Sequence, residues 1–183
     1  SGAGVEEGGW SVRARLRNGR GTDVLRRALV GEVPRRDASS PQRDLVSGIA
    51  WEGSLVRLQA RVAKAPAWTA ETPVLHELEI ELLDASGAVV EATAVRCGFR
   101  RIAIEDGLLK VNGRAITLRG VNRHEHDDVQ GKTVSAETTR TDLLLMKRFG
   151  FNAVRTAHYP NAPEFYDLCD ELGMYVVDEA DIE

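Results

Sequence analysis

The chain has 183 residues, of which 43% are hydrophobic and 28% charged, and these values are typical of a globular protein with one or two domains. The net charge is −4, which argues against nucleic-acid binding because such proteins usually carry a basic excess. No apolar run reaches the roughly 18 residues of a membrane span. Cys97 and Cys169 lack the spacing of a zinc site or a disulfide framework.

The first half of the sequence alternates apolar and polar residues with the period of two that indicates β-strands. The pattern starts at Trp10, and Asn18-Gly19 predicts a tight hairpin turn. Further strands are predicted over 24–30, 56–62, 78–82 and 89–96. Five antiparallel strands at this spacing indicate a β-sandwich of immunoglobulin type, which is complete with about seven. The polar stretch 31–53 is predicted to be a long loop or an irregular edge.

The second half alternates strands and helices. Strands are predicted over 108–111, 115–121, 151–156 and 174–178, with an Asn112-Gly113 turn between the first two. Ser135 is the predicted N-cap of a helix that ends at Gly150, and Asn161 with Pro163 opens a second helix that ends at Gly173. The order β-α-β-α-β predicts parallel strands with right-handed crossovers. No GxGxxG motif is present, which disfavours a dinucleotide-binding fold.

Polar side chains collect after these parallel strands, at the ends where α/β folds bind their ligands. They are Asn122 to Asp128 after the first strand, Arg155, His158 and Tyr159 at the second, and Asp178, Glu179, Asp181 and Glu183 after the third. Three of the four histidines of the chain belong to this set. The sequence therefore predicts a site on this face.

The residue types alone leave alternatives open. His124 and His126, followed by two aspartates, could chelate a divalent metal, although side chains alternate in direction along an extended segment. His124 could instead be a packing histidine, and Arg155 could form a structural salt bridge. The acidic residues after the third strand are either a solvated face or oxygen ligands of the kind that suits Mg²⁺.

Three segments together carry a family resemblance. They are RGVNRHEH at 119–126, FNAVRTAHYPN at 151–161 and YVVDEADIE at 175–183. In this order and spacing they resemble family 2 glycoside hydrolases of the β-galactosidase type. The segments 68–73 and 98–100 are also similar to the family, in which they lie in and just after an immunoglobulin-like domain that precedes the catalytic barrel.

The resemblance implies a multi-domain β plus α/β architecture. Residues 1–97 would be an immunoglobulin-like β-sandwich domain truncated at its start. Residues 98–183 would be the N-terminal part of a TIM-barrel catalytic domain, with the first three β-strands and two helices of a (β/α)₈ barrel. A closed barrel takes about 250 residues, so we expect an interior fragment of a longer enzyme.

The implied activity is retaining hydrolysis of terminal non-reducing β-D-galactose residues, as in lactose. This chemistry needs two carboxyl groups about 5 Å apart, and in the family both glutamates lie on later barrel strands. The isolated chain should therefore be inactive. The resemblance also implies a cytoplasmic homo-oligomer without nucleic-acid or membrane partners. The alternatives are a β-glucuronidase, another family 2 glycosidase, or a non-catalytic carbohydrate-binding or interaction module.

By the same resemblance, His124 and His158, with Asn122, would bind the sugar hydroxyls. Arg155 would hold the nucleophilic glutamate ionised and oriented, since an adjacent guanidinium favours the charged carboxylate. Glu183 matches a Mg²⁺-binding glutamate, and Na⁺ is a further expected cation. Asp181 departs from the asparagine of some relatives at this position.

Overall fold

The computed structural model describes residues 8–34 and 54–181. These residues form two compact units. The first contains 8–34, 54–64 and 76–97, and the second contains 65–75 and 98–181. Most of the loop predicted over 31–53 lies outside the described residues, as does Glu183. The domain boundary at 97/98 stays a prediction.

The first unit contains a four-stranded antiparallel sheet with the strand order β2-β1-β3-β4. Its strands are β1 (Ser11–Asn18), β2 (Leu29–Glu32), β3 (His76–Leu83) and β4 (Val89–Cys97). The predicted alternation in β1 is confirmed, because Ala14 and Leu16 are buried while Arg13 and Arg17 lie on the other face and form ion pairs with Glu81 and Glu79. The described part of this unit contains one sheet, so the second sheet of a sandwich stays a prediction.

The first unit differs from the prediction in three details. The strand predicted over 24–30 begins only at Leu29 and continues to Glu32. The turn after β1 is wider than a two-residue hairpin, since the Asn18 backbone N–H donates to Thr22 and the positive φ falls at Gly21. The strand predicted over 56–62 does not form. The side chains of Val56 and Leu58 pack over Gly31 in β2 instead. Alternating apolar residues can thus pack against a sheet although their own backbone forms no strand.

The second unit begins with a small antiparallel sheet of the order β5-β6-β7. Its strands are β5 (Ile102–Glu105), β6 (Leu108–Val111) and β7 (Arg114–Ala115). Strand β5 was not predicted, whereas the turn at Asn112-Gly113 is confirmed by positive φ angles at both residues. The strand predicted over 115–121 is broken, because Ala115 pairs antiparallel with Lys110 while Gly120 pairs parallel with Ala153 in a different sheet.

The remaining elements alternate as predicted. They are β8 (Gly120–Arg123), α1 (Ala136–Arg148), β9 (Ala153–Thr156), α2 (Pro163–Leu172) and β10 (Tyr175–Val177). The three strands form a parallel sheet of the order β10-β9-β8. Ser135 caps α1 by accepting from the Thr138 backbone N–H, and Gly173 ends α2 in the left-handed conformation. Neither helix is long and apolar enough to cross a lipid bilayer, within the residues described.

Helices and sheet of the second unit meet in one apolar core. It consists of Leu143, Val154, Phe165, Leu168, Cys169 and Met174. Trp68 is buried in the same unit, where its indole N–H donates to the Asp170 carbonyl at 2.8 Å and its ring meets Tyr175 edge to face. This packing holds the parallel sheet against α1 and α2.

Candidate active site

The parallel register places three strand ends next to one another. Asn122 of β8 lies opposite Arg155 of β9, and Arg155 lies opposite Val177 of β10. The Arg155 Nη1 donates to the Asn122 side-chain oxygen at 3.3 Å. The sequence prediction that these polar residues share one face is therefore confirmed for Asn122 and Arg155.

Two histidines face each other just beyond these strand ends. The ring centroids of His124 and His158 lie 5.4 Å apart with the planes at 71°, and the Tyr159 ring lies 6.5 Å from that of His124. Both histidines are exposed, so neither is a packing histidine. The arrangement presents two imidazole rings and an aromatic ring to solvent, which suits a polar ligand with apolar faces.

A carboxylate beside the histidines holds two groups at once. Glu179 Oε1 accepts from Arg155 Nε at 2.7 Å, and Glu179 Oε2 lies 3.2 Å from His158 Nδ1. The side chain of Glu179 is 26% exposed. The predicted salt bridge of Arg155 thus exists, and it lies inside the candidate site.

A hydroxyl network around the buried Thr156 supports this end of the sheet. Thr156, fully buried, donates to Asp178 at 2.9 Å and accepts from the Glu179 backbone N–H at 2.9 Å. Tyr166 also donates to Asp178, at 2.8 Å. Burial, together with the hydrogen bond to Asp178, raises the pKa of the Tyr166 phenol, so it stays a donor at neutral pH. Asp178 is therefore a structural carboxylate.

The family models match both halves of the chain. A model described as "Glycosyl hydrolases family 2" matches residues 8–100, which is half of the chain, and a model described as "Glycosyl hydrolases family 2, TIM barrel domain" matches residues 102–183. The chain belongs to glycosyl hydrolase family 2. The resemblance predicted from the three sequence segments is therefore confirmed.

Relatives within this family include long enzymes. A β-galactosidase of Alteromonas mediterranea is 53% identical over 116 residues, covering 63% of this chain and 11% of that protein. A β-galactosidase of Vibrio vulnificus is 47% identical over 133 residues, covering 73% of this chain and 13% of that protein. The chain thus spans about an eighth of the length of these curated relatives.

Solved structures of two bacterial β-glucuronidases share the fold. A Bifidobacterium dentium β-glucuronidase complexed with coumarin-3-O-glucuronide matches with a TM-score of 0.79 and 25% identity, covering 94% of this chain and 25% of that one. A Bacteroides uniformis β-glucuronidase matches with a TM-score of 0.77 and 26% identity, covering 94% of this chain and 19% of that one.

Not every polar residue after β8 belongs to this family 2 site. Arg123 is buried, and it donates to Asp142 at 3.0 Å and to Thr139 at 3.1 Å on the helix side of the sheet. Glu125 accepts from the Ala162 backbone N–H at 3.2 Å, just before α2. These two residues tie the strand to the helices, whereas Asn122 and His124, which alternate with them, face the site.

The metal-chelating alternative for the 124–128 run does not hold. The Asp127 carboxylate accepts from the backbone N–H groups of Val129 and Gln130, both at 2.9 Å. These hydrogen bonds lower its pKa. Within 8–34 and 54–181, no three His, Cys, Asp or Glu side chains are grouped to hold a metal ion. The predicted Mg²⁺ ligand Glu183 lies outside the described residues.

Sequence reasoning gave Glu179 no role of its own, although it placed the residue in the cluster. The sequence does contain a signal for the ion pair, because Glu179 follows the strand that lies beside Arg155 in a parallel sheet. A buried-strand arginine with an acidic residue two positions beyond the neighbouring strand's end predicts an ion pair there.

Proposed function

We propose that the whole protein is a retaining β-galactosidase that removes terminal non-reducing β-D-galactose. The observation that carries this proposal is the pair His124 and His158, whose rings lie 5.4 Å apart beside Arg155 at the strand ends. Curated relatives named β-galactosidase, 47% and 53% identical, support the galactose specificity.

In this proposal the two histidines bind hydroxyl groups of the galactosyl ring. Imidazole nitrogens both donate and accept hydrogen bonds, and Asn122 adds an amide beside Arg155. Hydrogen bonds that strengthen as the ring distorts toward its oxocarbenium-like transition state raise the rate as well as the affinity. His124, His158 and Asn122 are therefore proposed as substrate-binding residues.

Arg155 is proposed to orient the catalytic nucleophile. Its contacts with Glu179 and Asn122 use only some of its five N–H donors. The donors that are left on the two Nη atoms can bind a further carboxylate. A guanidinium at that position would keep a nucleophilic glutamate ionised.

We also propose Mg²⁺ as a cofactor with Glu183 as one ligand, and Na⁺ as a second cation. Oxygen ligands suit Mg²⁺, which usually takes only one or two protein carboxylates. When bound, the ion would supply positive charge that stabilises developing negative charge. In the whole protein, Glu183→Gln should raise the Mg²⁺ concentration needed for half-maximal activity. An unchanged requirement would assign the ion to other residues.

Membership of the family supports a proposal about the finer architecture. We propose that β8, α1, β9, α2 and β10 are the first three strands and two helices of a (β/α)₈ barrel, and that residues 1–97 belong to an immunoglobulin-like domain. Residues 65–75 pack with the second unit. The whole protein is further proposed to be a cytoplasmic homo-oligomer that acts on β-galactosides such as lactose.

A second candidate is a β-glucuronidase, because solved structures with that name cover 94% of this chain at 25% and 26% identity. The test compares chromogenic β-galactosides with β-glucuronides on the protein expressed from its complete coding sequence. We expect kcat/KM to be higher for the galactoside. A preference for the glucuronide would replace the proposal, and hydrolysis of neither would favour a binding module.

A further inference from the structure

The Glu179 carboxylate contacts both Arg155 and His158 at the centre of the site. Glu179 lies just after β10, and its two oxygens contact different residues. Oε1 accepts from Arg155 Nε at 2.7 Å, and Oε2 lies 3.2 Å from His158 Nδ1. Because both contacts come from one side chain, the positions of Arg155 and His158 depend on each other.

The backbone presents Glu179 in one geometry. Its N–H donates to the Thr156 hydroxyl at 2.9 Å, and that hydroxyl donates to Asp178 at 2.9 Å. Thr156 is fully buried in β9. A residue held by a buried strand through its own backbone is a stable support for a neighbouring side chain.

The contacts of His158 Nδ1 favour one tautomer. Two groups lie near this nitrogen, Glu179 Oε2 at 3.2 Å and Arg155 Nη2 at 3.4 Å. The guanidinium can only donate, whereas the carboxylate accepts. Donation of the Nδ1 proton to Glu179 uses the shorter contact. The lone pair of the neutral ring then lies on Nε2, where it can accept a hydrogen bond from a hydroxyl group.

We propose that Glu179 is a positioning residue of this site. It holds His158 with its proton on Nδ1, so that Nε2 accepts from a sugar hydroxyl, and it fixes the guanidinium of Arg155. The identity of the sugar rests on the proposed function, whereas the positioning of the two side chains does not. The residue acts through His158 and Arg155 and does not itself touch the substrate.

The kinetic test uses the whole protein and the variant Glu179→Gln. A glutamine amide accepts at its oxygen but donates at its nitrogen, so it cannot accept at both of the positions where Glu179 Oε1 meets Arg155 and Oε2 meets His158. We expect kcat/KM for a chromogenic β-galactoside to fall at least about tenfold. Glu171→Gln, which removes a carboxylate paired with Arg140 at 2.8 Å between the helices, is the matched control and should leave kcat/KM unchanged.

A double-mutant cycle separates positioning from a general structural role. If Glu179 acts through His158, the substitution Glu179→Gln should matter less once His158 has been removed. We expect the factor by which it lowers kcat/KM in the His158→Ala variant to be at most a third of the factor in the wild type. Equal factors in both backgrounds would overturn the coupling between these residues.

A crystal structure of the Glu179→Ala variant tests the same proposal without any substrate. We expect the side chains of Arg155 and His158 to leave their present positions while His124 keeps its own. Unchanged conformations of both would overturn the positioning role. If the wild-type protein hydrolyses neither galactosides nor glucuronides while these side chains do move, the proposed function fails and the positioning role stands.

Discussion

At the scale of single residues, the side chains at and just after the end of β8 alternate between a structural role and a place at the candidate site. Arg123 and Glu125 point toward the helices, where they contact Asp142 and the Ala162 backbone N–H. Asn122 and His124 lie on the other face, beside Arg155 and His158. Because side chains of extended backbone alternate in direction, half of a polar cluster can serve a ligand while the other half anchors the strand.

The first prediction concerns His124. In the whole protein, His124→Ala should lower kcat/KM for a chromogenic galactoside by about 10²-fold, the scale of losing a transition-state hydrogen bond. The matched control is His126→Ala, since His126 is exposed and the ring contact at the site is made by His124 and His158. If KM rose while kcat stayed the same, His124 would bind ground state and transition state equally.

The second prediction concerns the buried thiol of Cys169. Burial, assisted by the charge of Asp170, raises its pKa to about 12. At pH 8 its thiolate fraction is therefore on the order of 10⁻⁴, and the thiolate is the reactive form. We expect a thiol reagent to leave Cys169 unmodified in the native protein and to label it in denaturant, with peptide mass analysis as the readout. Rapid native labelling would contradict its burial.

The same thiol affects stability at alkaline pH. The folded protein keeps this proton up to about pH 12, while the unfolded chain loses it near the ordinary pKa of 9.0. The unfolded state thus binds fewer protons between these values, and the free energy of unfolding falls as the pH rises above 9. Below pH 9 this contribution is constant.

At the scale of elements, helix ends are decided by close backbone contacts as well as by residue type. Lys147 of α1 donates to the carbonyls of Ala70, at 2.7 Å, and Gly173, at 2.9 Å. A Cβ atom at Gly173, which has a φ of +77°, would lie 2.3 Å from the Ala70 carbonyl oxygen. Gly150 has a similar φ of +81° but no atom within 4 Å of such a Cβ.

The third prediction compares these two glycines. Gly173→Ala combines a left-handed φ with a clash against backbone and should destabilise the second unit by roughly 3 kcal/mol, whereas Gly150→Ala meets only the conformational cost of about 1 kcal/mol. Calorimetric unfolding of the two variants of the whole protein measures the difference. Equal losses would mean that the Ala70 segment moves aside without cost.

At the scale of the whole molecule, residues 65–75 lie in the sequence between two segments of the first unit, but they pack in the second unit. Trp68 is buried there beneath the Arg100 guanidinium, which lies 5.0 Å from the ring centroid. A Cβ atom at Gly98 would lie 2.9 Å from Trp68, so the indole requires a glycine at that position. The sequence segments 68–73 and 98–100, which resemble the family, therefore meet around one tryptophan.

The fourth prediction concerns the isolated chain of 183 residues. Three of the carboxylates at this end of the sheet are engaged: Glu179 with Arg155, Asp178 with Thr156 and Tyr166, and Glu125 with a backbone N–H. A retaining mechanism needs an acid and a nucleophile about 5 Å apart. We expect no hydrolysis of a chromogenic galactoside by this chain. Turnover that survives purification and disappears in His158→Ala would contradict this expectation.

The sequence by itself determined the family, the alternation of strands and helices from β8 to β10, and the strand ends at which polar residues collect. Helix signals such as Ser135, Pro163 and Gly173 are local, because capping and left-handed conformations depend on neighbouring backbone. The three family segments can also be recognised from the order of their residues alone. Neither the helix signals nor the family segments require knowledge of tertiary contacts.

Only the tertiary structure decided which residues of these segments work together. The bridge of Glu179 between Arg155 and His158 depends on strand register, which joins residues 21 and 24 positions apart. The absence of a strand over 56–62 also depends on a distant contact, because Val56 and Leu58 pack over Gly31. An alternating pattern fixes which face a side chain occupies but not its partner, since pairing depends on contacts between distant parts of the chain.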